Sequence, residues 1–273
     1  MATDLAVRNG EGGLPGSDSP AGRRRPKVAR ALLPLALVAL TSLTALVGSD
    51  ALVTTGLVAL TVVCAVTGHP GSARLGLGLT ATVAASALLP SQVDWWPLPG
   101  LVGVGVYVLS EVLARRHRAI LRLGRMRAAE ALIVVGMVAA SASVLYAFSR
   151  LAPPRLGTGA QFLIGLTPWS LVAAGVAFAV VNAFVEEVLF RGAILHHLGR
   201  VLGNGPAVLV QALAFGALHL NGYPYGVTGV GLASAYGLVL GALRLRSGGL
   251  LAPWVAHVCA DTVIFVLIVQ VAT

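Results

Sequence analysis

The sequence predicts an all-α protein, a polytopic transmembrane bundle of about eight or nine spanning helices. Hydrophobic residues make up 57% of the 273 residues and charged residues only 11%, whereas a soluble domain has roughly 45–50% and 25%. Apolar stretches of about 20 residues, the length that crosses a bilayer, also recur along the chain. Together these observations exclude a soluble globular domain, a disordered chain and a disulfide scaffold.

The chain divides by composition into three parts. Residues 1–29 are rich in Gly, Pro and charged residues and show no apolar periodicity, which is typical of a flexible tail. Residues 30–150 are predicted to form the N-terminal transmembrane helices, and residues 165–270 a second transmembrane part. The predicted spanning segments are about 31–49, 51–67, 75–91, 98–114, 129–149, 170–200, 206–221, 229–246 and 250–272.

The distribution of positive charge predicts the orientation of this bundle. The net charge is +9, and most of the basic residues fall in segments that the predicted spans place on one side. They include the run at 23–27 and six arginines between 115 and 127. Because cytoplasmic loops carry an excess of Lys and Arg, we predict a multi-pass protein of the inner cell membrane with a cytoplasmic N-terminus. The predicted partner is therefore the lipid bilayer, and nucleic acid is not a predicted partner.

Six ionisable residues lie deep within apolar sequence instead of at segment ends. Ionisable groups inside a bilayer are costly and mark a functional site by default. The alternative interpretation is a buried polar contact that holds helices together. It is preferred for the two residues that are four apart and share a helix face. The six residues are Glu186, Glu187, Arg191, His219, His257 and Asp261, and that pair is Glu187 with Arg191.

Spacing from a shared turn predicts that these residues converge. Glu186 lies 17 residues before Gly203, and His219 lies 16 residues after it. At about 1.5 Å of rise per residue, both lie roughly 25 Å of helix from the turn. His257 and Asp261 are four residues apart and share a helix face. Small residues that permit close helix approach lie nearby: Gly216, Ala217, Gly231, Ala233, Ser234, Gly237 and Gly241.

Carboxylates and imidazoles in one sheltered pocket suit general acid–base hydrolysis. No Ser or Cys lies beside a His in an arrangement that indicates a nucleophile. A zinc ion held by Glu186, His219 and His257 stays open as an alternative, but the compact HExxH motif is absent. Water activation without a metal is therefore preferred, and no other cofactor is predicted.

Three motifs occur in order on successive apolar segments. Glu186–Arg191 reads EExxxR, Phe215–His219 reads FxxxH, and His257–Asp261 reads HxxxD. Together they resemble the CPBP family of intramembrane proteases over about residues 165–270. That family includes the type II CAAX prenyl endopeptidases and bacteriocin-processing or self-immunity (Abi-like) proteins.

The resemblance implies a role for each residue. Glu186 and His219 would activate water, while Glu187 and Arg191 would position the site. His257 and Asp261 would form the region that stabilises the oxyanion. Many members of the family have Asn at the last position. Because a carboxyl group donates a hydrogen bond only when protonated, support of His257 or orientation of water is the more secure expectation for Asp261.

The predicted function is therefore an intramembrane endopeptidase that cuts a membrane-anchored protein or peptide near its C-terminus, close to the inner face. The substrate is apolar or lipidated, and the enzyme is either glutamate-dependent or a metalloprotease. Two alternatives from other classes stay open. Buried Glu and His residues also serve proton-coupled transporters, and a non-catalytic scaffold or immunity protein could retain the same fold.

Overall fold

The computed structural model describes residues 27–47, 50–89, 97–152 and 163–272. Within these ranges every regular element is a helix, which confirms the all-α prediction. Of the predicted tail, residues 1–26 lie outside the described ranges. The helices of the first part are α1 (Lys27–Ser42), α2 (Thr44–Val47), α3 (Asp50–Val66), α4 (Pro70–Leu88), α5 (Pro97–Leu113), α6 (His117–Ile120) and α7 (Ala128–Leu151).

The second part begins with a long apolar helix that changes its winding halfway. Its pieces are α8 (Pro168–Glu186), a π-helical segment (Glu187–Ile194) and α9 (Leu195–Leu202). The remaining helices are α10 (Asn204–Leu218), α11 (Gly226–Ser247) and α12 (Leu251–Ala272).

Among the described residues, four helices are long and apolar enough to cross a membrane: Ala128–Leu151, Pro168–Leu202, Gly226–Ser247 and Leu251–Val271. Shorter apolar helices accompany them at Ala31–Leu46, Asp50–Val66, Pro97–Leu113 and Asn204–Leu218. Together they support a multi-pass membrane protein. The predicted number of eight or nine spans stays a prediction, because the shorter helices fall below the roughly 20 residues that a full crossing needs.

Local sequence explains where the helices around the site begin and end. The Thr167 side chain accepts a hydrogen bond from Ser170 N–H, and Pro168 occupies the first turn of α8, where its missing N–H is not needed. Gly203 separates α9 from α10 with a φ of 84°, and Gly248 ends α11 with a φ of 66°. Both glycines have a positive φ, which other residues rarely adopt, and Gly248 has the left-handed conformation typical of a helix end.

One end of the bundle is formed by the arginine-rich loop at 115–127, and we call it the arginine end. Arg125 N–H donates to Ser247 O, and Leu250 N–H donates to Arg122 O. These backbone bonds fasten the loop to the junction of α11 and α12. The helix that carries His257 and Asp261 therefore begins at the arginine end.

The other end, which we call the opposite end, carries the loop between α10 and α11. Asn221 Nδ2 donates to Ala45 O in α2 over 3.1 Å. The Tyr223 ring meets the Phe148 ring, near the end of α7, with 5.6 Å between centroids. The ends of α2, α7 and α10 therefore meet on this side.

Helices α10 and α11 approach closely through small residues, as predicted. A Cβ on Gly216 would meet Ser234 Oγ and Val230 O, and one on Gly237 would lie 3.2 Å from the Ala212 Cα. A larger residue at either glycine would therefore push the two helices apart. This close packing holds the end of α10 against the middle of α11.

Candidate active site

The EExxxR motif lies where the winding changes from α-helical to π-helical. Glu186 is the last residue of α8 and Glu187 the first of the π-helical segment, whose eight residues are all buried. Leu195 N–H donates to Phe190 O, five residues earlier, as π-winding requires. Such segments are rare and often occur at functional sites. The two adjacent glutamates consequently reach different partners.

Glu187 forms the centre of a buried ion-pair network. Arg191 Nη1 donates to Glu187 Oε1 over 2.9 Å, and His257 Nδ1 donates to the same oxygen over 2.8 Å. The Glu187 and Arg191 side chains are 1% and 0% exposed. The predicted pairing of Glu187 with Arg191 is confirmed, and the network also ties α12 to the π-helical segment.

Two more carboxylates lie beside the second nitrogen of His257. Its Nε2 is 3.4 Å from Glu186 Oε2 and 3.6 Å from Asp261 Oδ1. An imidazole can donate to acceptors at both nitrogens only as the imidazolium ion. The geometry therefore favours a cationic His257 held between Glu186, Glu187 and Asp261.

Asn182 completes the carboxylate side of the network. Its Nδ2 donates to Asp261 Oδ2 over 2.9 Å, between α8 and α12. Asn182 lies one turn before Glu186 in the sequence, so the sequence predicts equally well a bond to Glu186 and a polar contact between helices. The structure shows the contact between helices. Asp261 consequently has one oxygen held by the Asn182 amide and the other 3.6 Å from His257 Nε2.

His219 lies on the other side of the Phe215 ring from this network. The ring centroids of Phe215 and His219 are 4.7 Å apart, and those of Phe215 and His257 are 5.7 Å apart. His219 Nδ1 lies 2.9 Å from Phe215 O. A carbonyl oxygen only accepts, so Nδ1 carries the hydrogen and Nε2 of the neutral ring is the basic nitrogen. The neutral His219 ring therefore has Nε2 as its hydrogen-bond acceptor.

A cavity of about 500 Å³ brings the two predicted water-activating residues together. Glu186, His219, Asn182 and Asp261 all line it. It also extends to Thr44, Asp50, Asn221 and Tyr223, which lie at the opposite end. The cavity is large enough for several water molecules, which each occupy about 30 Å³ in the liquid. The sequence predicted a site close to the inner face, whereas this cavity reaches the end away from the arginine-rich loop.

A second, largely apolar chamber of about 280 Å³ adjoins the same residues. His219, His257 and Asp261 line it together with side chains of α7 and α11. Tyr236 of α11 is one of them, and its Oη donates to Ala256 O over 2.9 Å. The sequence analysis missed Tyr236, because a single tyrosine in an apolar helix carries no distinguishing motif.

The zinc alternative requires three ligands around one position. Within the described residues, no group of three or more His, Cys, Asp or Glu side chains is arranged to hold a metal ion. The arrangement of Glu186, His219 and His257 therefore does not fit a zinc site, and no step below depends on a metal.

A second buried polar cluster lies at the arginine end, outside the predicted site. Arg74 Nε donates to Glu111 Oε1 over 2.8 Å, and Tyr107 Oη lies 3.0 Å from His197 Nε2. Glu111, Tyr107 and His197 are buried. Their positions near the ends of apolar segments predict a solvated or paired surface charge for Glu111 and an interfacial residue for His197. Glu111 is paired but buried, and the cluster joins α4 and α5 to α9.

In the described part of the chain, buried acids and imidazoles of an all-helical apolar bundle thus line a cavity of about 500 Å³. Residues 168–263 match the family model described as Type II CAAX prenyl endopeptidase Rce1-like. The match runs from α8 into α12 and contains all six predicted site residues. It confirms the resemblance seen in the three motifs and supports a CPBP family intramembrane protease of the CAAX type. No curated protein and no solved structure matched the chain.

Proposed function

We propose that the chain is an intramembrane endopeptidase that hydrolyses a peptide bond near the C-terminus of a membrane-associated or lipidated protein. The observation that carries this proposal is the shared cavity of Glu186 and His219, next to the His257 network. Hydrolysis within a membrane needs a water molecule between a base and the scissile carbonyl group. The cavity supplies the space for that water and the two groups that can take its proton.

In the proposed reaction Glu186 and His219 together activate one water molecule. The water oxygen forms a bond to the carbonyl carbon, and its proton passes to the Glu186 carboxylate. His219 Nε2 accepts a hydrogen bond from the same water and so orients it. The C–N bond then breaks, and the proton passes from Glu186 to the leaving amine. General acid–base catalysis of this kind contributes about 10²- to 10⁴-fold to a rate.

His257 is the proposed stabiliser of the oxyanion. Its Nε2 lies 3.4 Å from Glu186 in the resting site. When Glu186 takes the proton of the water, its negative charge is lost and its attraction for the His257 N–H weakens. The N–H then becomes available to the developing oxyanion, where a positioned donor is most effective. Glu187, Arg191 and Asp261 act by holding His257 in place.

The polar entrance of the proposed peptidase lies at the opposite end of the bundle. The cavity reaches Asp50 and Asn221 there. If the arginine end is cytoplasmic, as the excess of Lys and Arg predicts, water enters from the outer side. We therefore propose a site within the inner membrane whose water supply comes from the non-cytoplasmic side.

A comparison of membrane proteomes tests this function with whatever substrate the cell contains. Cells carrying the parent chain, Glu186→Gln or His219→Ala are compared at equal abundance of the three proteins, and C-terminal peptides are identified by mass spectrometry. We expect a small set of membrane proteins to be trimmed only with the parent chain. Identical C-termini in all three strains would overturn the proposal. Proton flux in proteoliposomes that depends on Glu186 would instead identify a transporter.

A further inference from the structure

The apolar chamber beside the site receives one wall from a helix outside the family match. Ala140, Ser141 and Val144 of α7 line it, facing Tyr236 and Val239 of α11. The family match begins at residue 168, so α7 precedes it. The residues of this wall therefore lie outside the matched range.

The chamber opens sideways between α7 and α11. Val144 and Val239 line the chamber, yet they are 43% and 44% exposed. A side chain that is both exposed and in contact with the chamber lies at an opening. Both helices are candidate membrane spans, so the surface around this opening faces lipid and not water. The chamber thus connects the acyl region of the bilayer with His219 and His257.

We propose that this chamber binds a large apolar side chain of the substrate polypeptide, which enters from the bilayer between α7 and α11. The inference rests on the proposed peptidase function. The chamber shares His219, His257 and Asp261 with the site. A side chain bound in the chamber can therefore belong to a substrate residue close to the bond that is cut. Its volume of about 280 Å³ is near the lower limit of small-molecule pockets, about 300 Å³, and suits one large side chain.

The residues of α7 then determine which side chains are accepted. Ala140 and Ser141 are small and leave the chamber open, whereas a bulky residue at these positions or at Val144 would fill it. Discrimination by one or two methylene groups in an apolar pocket amounts to about 10- to 200-fold. Substitution on α7 should therefore change substrate choice without altering the hydrolytic groups.

Photo-crosslinking tests this inference separately from catalysis. The full chain carrying Glu186→Gln is reconstituted in nanodiscs with a Leu/Ala transmembrane peptide that contains one diazirine-bearing leucine. Val144→Trp fills the chamber, and Ser141→Leu provides a milder second variant. Tyr146→Trp is the matched control, since Tyr146 lies two residues further along the same helix, is 60% exposed and does not line the chamber.

We expect crosslinks on the chamber-facing parts of α7 and α11. Val144→Trp should reduce their yield about tenfold, Ser141→Leu should reduce it less, and Tyr146→Trp should leave it unchanged. Equal yields in the Val144 and Tyr146 variants, or a co-purified lipid that Val144→Trp displaces in place of the peptide, would overturn the inference. Because crosslinking measures binding and not cleavage, a failure of the proposed catalytic mechanism would leave this result intact.

Discussion

At the scale of single residues, the site depends on one buried arginine. Arg191 has three contacts that compensate its positive charge: the Glu187 carboxylate at 2.9 Å, the Phe215 ring with its centroid 4.5 Å away, and the Phe190 ring at 5.8 Å. A charge removed from water is strongly unfavourable unless it is paired. Glu187 therefore matters for stability as well as for the position of His257.

We predict that Glu187→Ala lowers the free energy of unfolding by about 3–5 kcal/mol, because it leaves Arg191 buried without its carboxylate. Thermal unfolding of the purified chain can be followed with a thiol-reactive dye, since Cys64 is buried in the folded protein. Arg246→Ala is the control. The Arg246 side chain is 56% exposed, and its partner Glu130 keeps a hydrogen bond from the Arg127 N–H when Arg246 is removed, so we expect about 0–1 kcal/mol. Equal losses of unfolding free energy in the two variants would contradict the conclusion that Glu187 compensates the buried charge of Arg191.

At the scale of elements, the convergence of the site follows from helix lengths and turns. The nearly equal distances from Gly203 to Glu186 and to His219 predicted that both side chains meet, and the structure places them on one cavity. The π-helical winding at Glu187–Ile194 was not predictable, because a change from α- to π-winding has no distinctive residue pattern in the sequence. The burial of Glu111 escaped prediction for a similar reason. Its partner Arg74 is 37 residues away in the chain, and pairing across that distance depends on how α4 and α5 pack.

The close contact of α10 and α11 gives a prediction at this scale. Gly216→Ala should destabilise the protein by about 1–3 kcal/mol through overpacking, since its Cβ would meet Ser234 and the Val230 backbone. Gly205→Ala, on the same helix, has nothing within 4 Å of its Cβ and should be neutral or slightly stabilising. Unfolding midpoints of the two variants, measured in the same detergent, check this difference. A Gly216→Ala variant as stable as the parent would show that the two helices are not held in this close contact.

At the scale of the whole molecule, the two ends of the bundle have different chemistry. The arginine end carries the basic loop and the second buried polar cluster, which joins α4 and α5 to α9. The larger cavity extends to polar residues at the opposite end. The positive charges were readable from the sequence, and they predicted which segments share an end. The sequence did not predict which end the larger cavity reaches, because this depends on where α10 ends relative to its neighbouring helices.

Cysteine labelling tests which end faces which compartment. In a chain whose two native cysteines, Cys64 and Cys259, are replaced by alanine, Asn221→Cys and Arg118→Cys are compared in intact cells. Both positions are exposed. A membrane-impermeant maleimide should label Asn221→Cys directly and Arg118→Cys only after permeabilisation, as the excess of cytoplasmic Lys and Arg predicts. The reverse pattern would place the polar entrance on the cytoplasmic side.

The central claim is that Glu186 and His219 act on the same water molecule, and a double-mutant cycle tests it most directly. The rate of cleavage of one substrate found by the proteome comparison is measured with the reconstituted parent chain, Glu186→Gln, His219→Ala and the double variant. We predict that each single substitution lowers kcat/KM about 10²- to 10⁴-fold, and that the double variant is little slower than either, because groups acting as a unit are not additive. Cleavage by purified Glu186→Gln at the rate of the parent would contradict the account.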